Sequence, residues 1–239
     1  ILLDLVRMKM KNHIIISLLF LSVGFSQKEY DINHITEQNG VYIKKFSDER
    51  VNGKVFQMYF DMKVPLGKMK NGKKEGKWTW WYHETGTKQI EENFKDGKKE
   101  GLETCWYPTG QKFWEINYKD GELDGLWIEW YKNGKKQKKK TFKNDRLIGI
   151  ETWYENGQKK REDNFKKDGR MIGKGIEWYK NGQKKREIDH NDEGYFDGLW
   201  IEWYKNGQKK SEEIWKQPSS LRPISKKCWD INGNEKECD

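Results

Sequence analysis

The 239-residue chain is 34% hydrophobic and 36% charged with a net charge of +9, and its mean hydropathy is −1.13, which is too little apolar material for a thick globular core. Disorder is excluded as well: a disordered chain is poor in aromatics, and this one holds 13 Trp, 11 Tyr and 10 Phe, most at recurring positions. The positive balance is moderate and its lysines alternate with glutamates, so nucleic acid is not expected as a partner.

Met10-Lys11-Asn12-His13 precedes an apolar run, Ile14 to Phe25, and then Ser26. A short charged region, an apolar region too short for an ordinary spanning helix, and small residues Gly24 and Ser26 at its end form the pattern of a secretory signal peptide. Cleavage is expected near Ser26, an uncleaved anchor being the alternative, with translation starting at Met8 or Met10. Removal of Asp4, Arg7, Lys9 and Lys11 takes the net charge from +9 to +7. The expected location of this exported protein is bacterial and periplasmic, outer-membrane-associated or secreted. Residues 1–26 therefore form an upstream and signal segment, and 27–75 a leader with a degenerate entry repeat. Gln27 to Gln38 read as an extended leader, Val41 to Ile43 and Val55 to Phe60 as strands, and Asn52-Gly53 and Asn71-Gly72 as turns.

From residue 76 to 216 the chain repeats itself six times. Trp-Tyr pairs begin at Trp81, Trp106, Trp130, Trp153, Trp178 and Trp203, at steps of 23 to 25 residues, a period that marks stacked supersecondary units. Each pair is followed by a glycine turn, such as Asn133-Gly134, Asn156-Gly157, Asn181-Gly182 or Asn206-Gly207. Asn-Gly accepts positive φ at both central positions and suits the tightest hairpin turns. A second turn follows at Asp96-Gly97, Asp120-Gly121, Asn144-Asp145, Asp168-Gly169 and Glu193-Gly194. Two turns per unit predict two antiparallel strands per unit. The expected fold is all-β: antiparallel hairpin repeats forming one elongated, twisted and curved meander sheet of about twelve regular strands.

Alternation places Leu126, Ile128 and Trp130 on one face and Trp127, Glu129 and Tyr131 on the other. By the same rule Lys112 shares a face with Trp114, Ile116 and Tyr118, and Lys136 with Lys138, Lys140 and Phe142. Trp81, Trp106, Trp130, Trp153, Trp178 and Trp203 are expected to form a structural aromatic ladder. Lys88, Lys112, Lys136, Lys159, Lys184 and Lys209 are expected to form a row up the sheet, which reads either as a basic stripe for an anionic glycan or lipid headgroup or as solubilising surface. Trp127 and Trp200 are the candidate flat surfaces for sugar rings. Residues 217–239 form a linker and terminal cap, in which Cys228 and Cys238 close a short loop and are expected to be a disulfide in an oxidising compartment; Cys105 reads as a buried thiol. No catalytic constellation, metal-ligand spacing or cofactor motif is present. The faint calcium-loop start at Asp189 fails because its twelfth position is Trp200, which has no oxygen ligand.

The unit Gly-x-Trp-x-x-Trp-Tyr-x-Asn-Gly-Gln-Lys, followed by Phe-Lys-Asp-Gly, resembles the MORN-repeat-variant family, whose bacterial members include YwqK-type antitoxin-like repeat proteins. The resemblance covers residues 39 to 216 and implies antiparallel hairpin repeats that bind or scaffold rather than catalyse. The leading functional expectation is a non-enzymatic, exported interaction platform whose partner is another envelope or secreted protein. An envelope-glycan or anionic-lipid binder and an antitoxin or immunity protein are the alternatives.

Overall fold

The computed structural model describes residues 27–59, 61–216 and 222–238. The expected signal peptide and the middle of the Pro-containing linker lie outside the described residues. From Lys73 to Trp215 the chain forms twelve strands, Lys98–Lys99 and Gly101–Trp106 counting as one interrupted strand. Each pairs antiparallel with the next, from Lys73–Trp81 with Lys88–Lys95 through Phe196–Trp203 with Lys209–Trp215. The sheet is open. At one end Glu29–Asp31 runs parallel to Gly53–Tyr59, and at the other Glu235–Lys236 pairs with Ser225–Trp229.

In the first three units the two turns differ in the opposite sense from the sequence expectation. At the second turn of these units both central residues are left-handed, as in Asp96 (φ 51°) and Gly97 (φ 84°), or Asn144 (φ 48°) and Asp145 (φ 59°); these are two-residue turns, whereas Asp168-Gly169 and Glu193-Gly194 have positive φ at the glycine alone. At the Asn-Gly turns that follow the Trp-Tyr pairs only the glycine has positive φ, as in Gly134 (φ 80°). There the Tyr131 amide donates to the Lys135 carbonyl and the Gly134 amide to the Tyr131 carbonyl, both at 2.9 Å. This longer turn shifts the pairing beside it: Trp130 opposes Lys136 but Glu129 opposes Lys138. The bulge reverses the face of the first residue of each second strand. Lys112 and Trp114 therefore lie on opposite faces, as do Lys136 and Lys138, against simple alternation.

The entry segment is more ordered than an extended leader. It holds Glu29–Asp31, a 3₁₀ turn at Ile32–His34, and the hairpin Ile35–Gln38 with Val41–Lys44. Gly53 opens a strand rather than a turn. A Cβ there would lie 2.0 Å from the Lys28 carbonyl oxygen, so only glycine lets the parallel strand approach. The main core is built here, from Ile35, Val51, Val55, Leu66, Met69, Trp78 and Phe94. Trp78 and Val51 are fully buried. The repeats beyond it are a single layer whose tryptophans stay half-buried, so their cohesion comes from bonds between neighbouring units.

Those bonds recur once per unit. The Tyr82 hydroxyl donates to the Trp106 carbonyl at 2.8 Å, Tyr107 to Trp130 at 3.2 Å, Tyr131 to Trp153 at 2.8 Å, Tyr154 to Trp178 at 2.9 Å, Tyr179 to Trp203 at 2.8 Å and Tyr204 to Trp229 at 3.0 Å. The turn asparagines repeat the device: Asn156 Nδ2 donates to the Lys180 carbonyl and Asn181 Nδ2 to that of Lys205, at 2.8 and 2.7 Å. The glycines after Asn156, Asn181 and Asn206 make room for the preceding unit. At Gly182 a Cβ would meet Gln158 Oε1 at 2.9 Å. In the last turn Asp230 stands where the tyrosine would be. Its carboxylate turns back to accept from the Asn232 and Asn234 amides, both at 2.9 Å, and it offers nothing outward. Cys228 and Cys238 are joined by a disulfide, and Cys105 is a buried free thiol.

Candidate interaction surface

Opposed residues on paired strands share a face, and one face collects the ladder and the lysine row. Each lysine reaches over the tryptophan of the next unit. Lys88 Nζ lies 5.6 Å from the Trp106 ring centre, Lys112 5.7 Å from Trp130, Lys136 5.8 Å from Trp153, Lys159 5.5 Å from Trp178, Lys184 5.6 Å from Trp203 and Lys209 5.3 Å from Trp229. These are cation–π distances. Trp81, first of the ladder, instead donates Nε1 to the Pro65 carbonyl at 3.4 Å. Five of the six lysines also pair with a glutamate three residues on: Lys88 with Glu91, Lys112 with Glu115, Lys159 with Glu162, Lys184 with Glu187 and Lys209 with Glu212.

Glu91, Glu151 and Glu187 are held as anions. Burial disfavours ionisation of Glu187, but the ammonium groups of Lys174 and Lys184 outweigh it and its carboxyl titrates below the ordinary range. Glu91 and Glu151 are shifted down against the same opposing burial, by Lys77 with Lys88 and by Lys139 with Lys159. Five of the six lysines are thus neutralised in pairs, and all six lie over indole rings. Between the pairs the same face leaves Leu102, Leu126, Leu199 and Ile214 exposed, each 37–43% accessible, with Leu199 and Ile214 directly opposed.

Trp127 and Trp200 lie on the other face, away from the lysine row. Trp127 is half-buried, stacked on Phe142 at 6.1 Å, with Lys140 Nζ 4.2 Å above its ring. Trp200 sits in a cluster with Phe196 at 5.1 Å and Trp215 at 6.1 Å, and the Arg186 guanidinium is 5.9 Å from its ring. The structure therefore does not bring the two groups of ligand-facing candidates together. His83 stacks on Tyr59 at 4.9 Å and His190 lies beside Phe196 at 5.4 Å. Among the described residues no three His, Cys, Asp or Glu side chains converge on one point.

The tyrosine hydroxyls and turn asparagines were visible in the sequence only as recurrence. Their role as staples depends on which carbonyl the next unit places beneath them. Burial raises the Tyr82, Tyr107 and Tyr131 phenols above their ordinary value, which keeps these donors protonated.

An open sheet made of one hairpin copied in register, each copy stapled to the next by the same tyrosine, defines a β-hairpin repeat protein. Four stretches of it, residues 99–120, 123–144, 150–167 and 196–217, match the model of the MORN repeat variant family. The units around Trp81 and Trp178, outside those matches, keep the same tyrosine staple. No curated protein matches the chain. MORN repeats are generally protein- or lipid-interaction repeats.

Proposed function

We infer that the chain is a non-enzymatic protein, exported to the cell envelope, that serves as a docking platform for another envelope protein. The observation that carries this reading is the state of the lysine row. Its charges are spent on glutamates and indoles of the same sheet, which weakens any field for a polyanion, while Leu102, Leu126, Leu199 and Ile214 remain open beside them. Apolar anchors rimmed by paired charges suit a protein surface. Export rests on the apolar run Ile14 to Phe25.

Photocrosslinking groups at Leu126 and Leu199 in cells should yield one discrete protein adduct from the envelope fraction. The L126E/L199E double variant should lose the partner in pull-down while keeping its melting temperature. Retention on anionic envelope polymers that disappears with modest salt, with no protein adduct, would overturn the reading. N-terminal sequencing of the envelope-borne protein should place the mature start near Ser26, and an intact N-terminus in the cytosolic fraction would remove the export element.

A further inference from the structure

Two features of the entry unit are left over when the repeats have been accounted for. The first is Phe46, whose side chain is fully exposed at 104% and whose backbone is left-handed, φ 62°. A bulky residue rarely occupies that region. The conformation is enforced by its neighbours: the Lys44 amide donates to the Glu49 carbonyl at 2.9 Å, the Ser47 amide to Lys44 at 3.2 Å, and the Lys45 amide to His34 at 2.9 Å. Ser47 Oγ accepts from the Glu49 amide at 3.3 Å. The chain thus fixes the backbone that presents this phenyl ring to water. Backbone strain of this kind is a pointer to function.

The second is an apolar slot. Strands Met62–Lys70 and Lys73–Trp81 pair only from Lys68–Glu75 to Lys70–Lys73 and then diverge, because the Trp78 ring lies against Gly67, where a Cβ would come within 2.6 Å of it. The far end is closed where the Tyr59 hydroxyl donates to the His83 carbonyl at 2.6 Å. Between lies a cavity of about 540 Å³ walled by Tyr59, Met62, Val64, Pro65, Trp81 and His83. Its size is that of a small-ligand site, and its aromatic and methionine walls suit a phenyl ring.

The phenyl cannot reach the slot of its own chain. The segment carrying Phe46 docks on Gly72, through the Tyr42 amide to the Gly72 carbonyl and the Gly72 amide to Val51, both at 2.7 Å. The slot lies at the other end of the nine-residue strand Met62–Lys70, about 26 Å away at ~3.3 Å per residue. The flanking charges are complementary. Among the described residues Lys45 beside the phenyl forms no ion pair, and Asp61 and Glu84, chain neighbours of the slot residues Met62 and His83, form none either. We propose that Phe46 of one copy inserts into the Tyr59–Trp81 slot of a second copy, so that the chain self-associates through its entry unit. Because phenyl and slot are different surfaces, one such contact is heterologous.

Complementation tests this on the full-length chain. Sedimentation of the wild type should show mass rising with concentration, and Phe46→Gly and Met62→Glu should each abolish the rise. Phe46→Gly relieves the left-handed backbone, so its melting temperature should hold or increase, which separates assembly from folding. Mixing the two variants leaves one intact phenyl and one intact slot and should restore a one-to-one dimer. The proposal is overturned if the wild type stays monomeric, if either variant self-associates like the wild type, or if the mixture fails to pair.

Discussion

The tyrosine staples make the most quantitative test of how a single-layer sheet holds together. Tyr131→Phe removes one part-buried hydrogen bond, 2.8 Å to the Trp153 carbonyl, and leaves the ring in place. A bond of this kind contributes about 1 kcal/mol net, within roughly 0.5–1.5. If all six tyrosines from Tyr82 to Tyr204 act alike, their joint replacement costs about 6 kcal/mol, which rivals the whole net stability of about 5–15 kcal/mol usual for a folded domain. Urea unfolding measures this directly. Tyr131→Phe should lower the midpoint without changing the slope, and Tyr82→Phe with Tyr179→Phe, whose staples are far apart, should add. Tyr195→Phe is the control, since Tyr195 is 52% exposed and outside the ladder. If Tyr131→Phe cost no more than this control, or if the sixfold variant unfolded at the wild-type midpoint, inter-unit hydrogen bonding would not be what binds the repeats.

Two further outcomes follow from the same geometry. Gly67→Ala should destabilise by about 1–3 kcal/mol through overpacking, because its Cβ would meet the buried Trp78 ring at 2.6 Å; thermal unfolding that matched the wild type would show that the indole can move aside. Glu91, Glu151 and Glu187 have carboxyls shifted below their ordinary value of 4.5. Their folded-state values are depressed, so their contribution is present above about pH 4.5 and is lost as the pH falls through the folded values. Melting temperature should be level from neutrality to about pH 5 and fall below it, and a loss already complete above pH 5 would contradict the paired glutamates.

The repeat, its two turns and its strands were legible because Trp-Tyr and the glycine turns recur at a nearly fixed step. The details that build the surface were not. Asn133-Gly134 and Asp96-Gly97 look equivalent as dipeptides, yet one sits in a longer hydrogen-bonded loop and the other in a two-residue turn. That difference decides whether Lys112 joins Trp114 or faces away from it. Alternation along one strand cannot reveal it, because the bulge is set by how the turn closes. The pairing of each lysine with the next unit's indole was hidden for the same reason. The entry unit was misread at Gln27 to Gln38 because a three-residue parallel strand and a 3₁₀ turn leave no period. Phe46 gave no signal, since nothing in Lys-Lys-Phe-Ser-Asp announces a left-handed backbone.

Asp230 carries a consequence for how such chains can change. A unit in the middle ends in a tyrosine that reaches forward, whereas the final turn ends in a carboxylate folded onto its own asparagines. The loss of the staple is therefore local to this turn and does not depend on how many hairpins come before it. A descendant could duplicate or delete one interior hairpin, lengthening or shortening its span by about 10 Å, two strand spacings, and still finish cleanly. Reach in this molecule is an inheritable ruler graduated in pairs of strands.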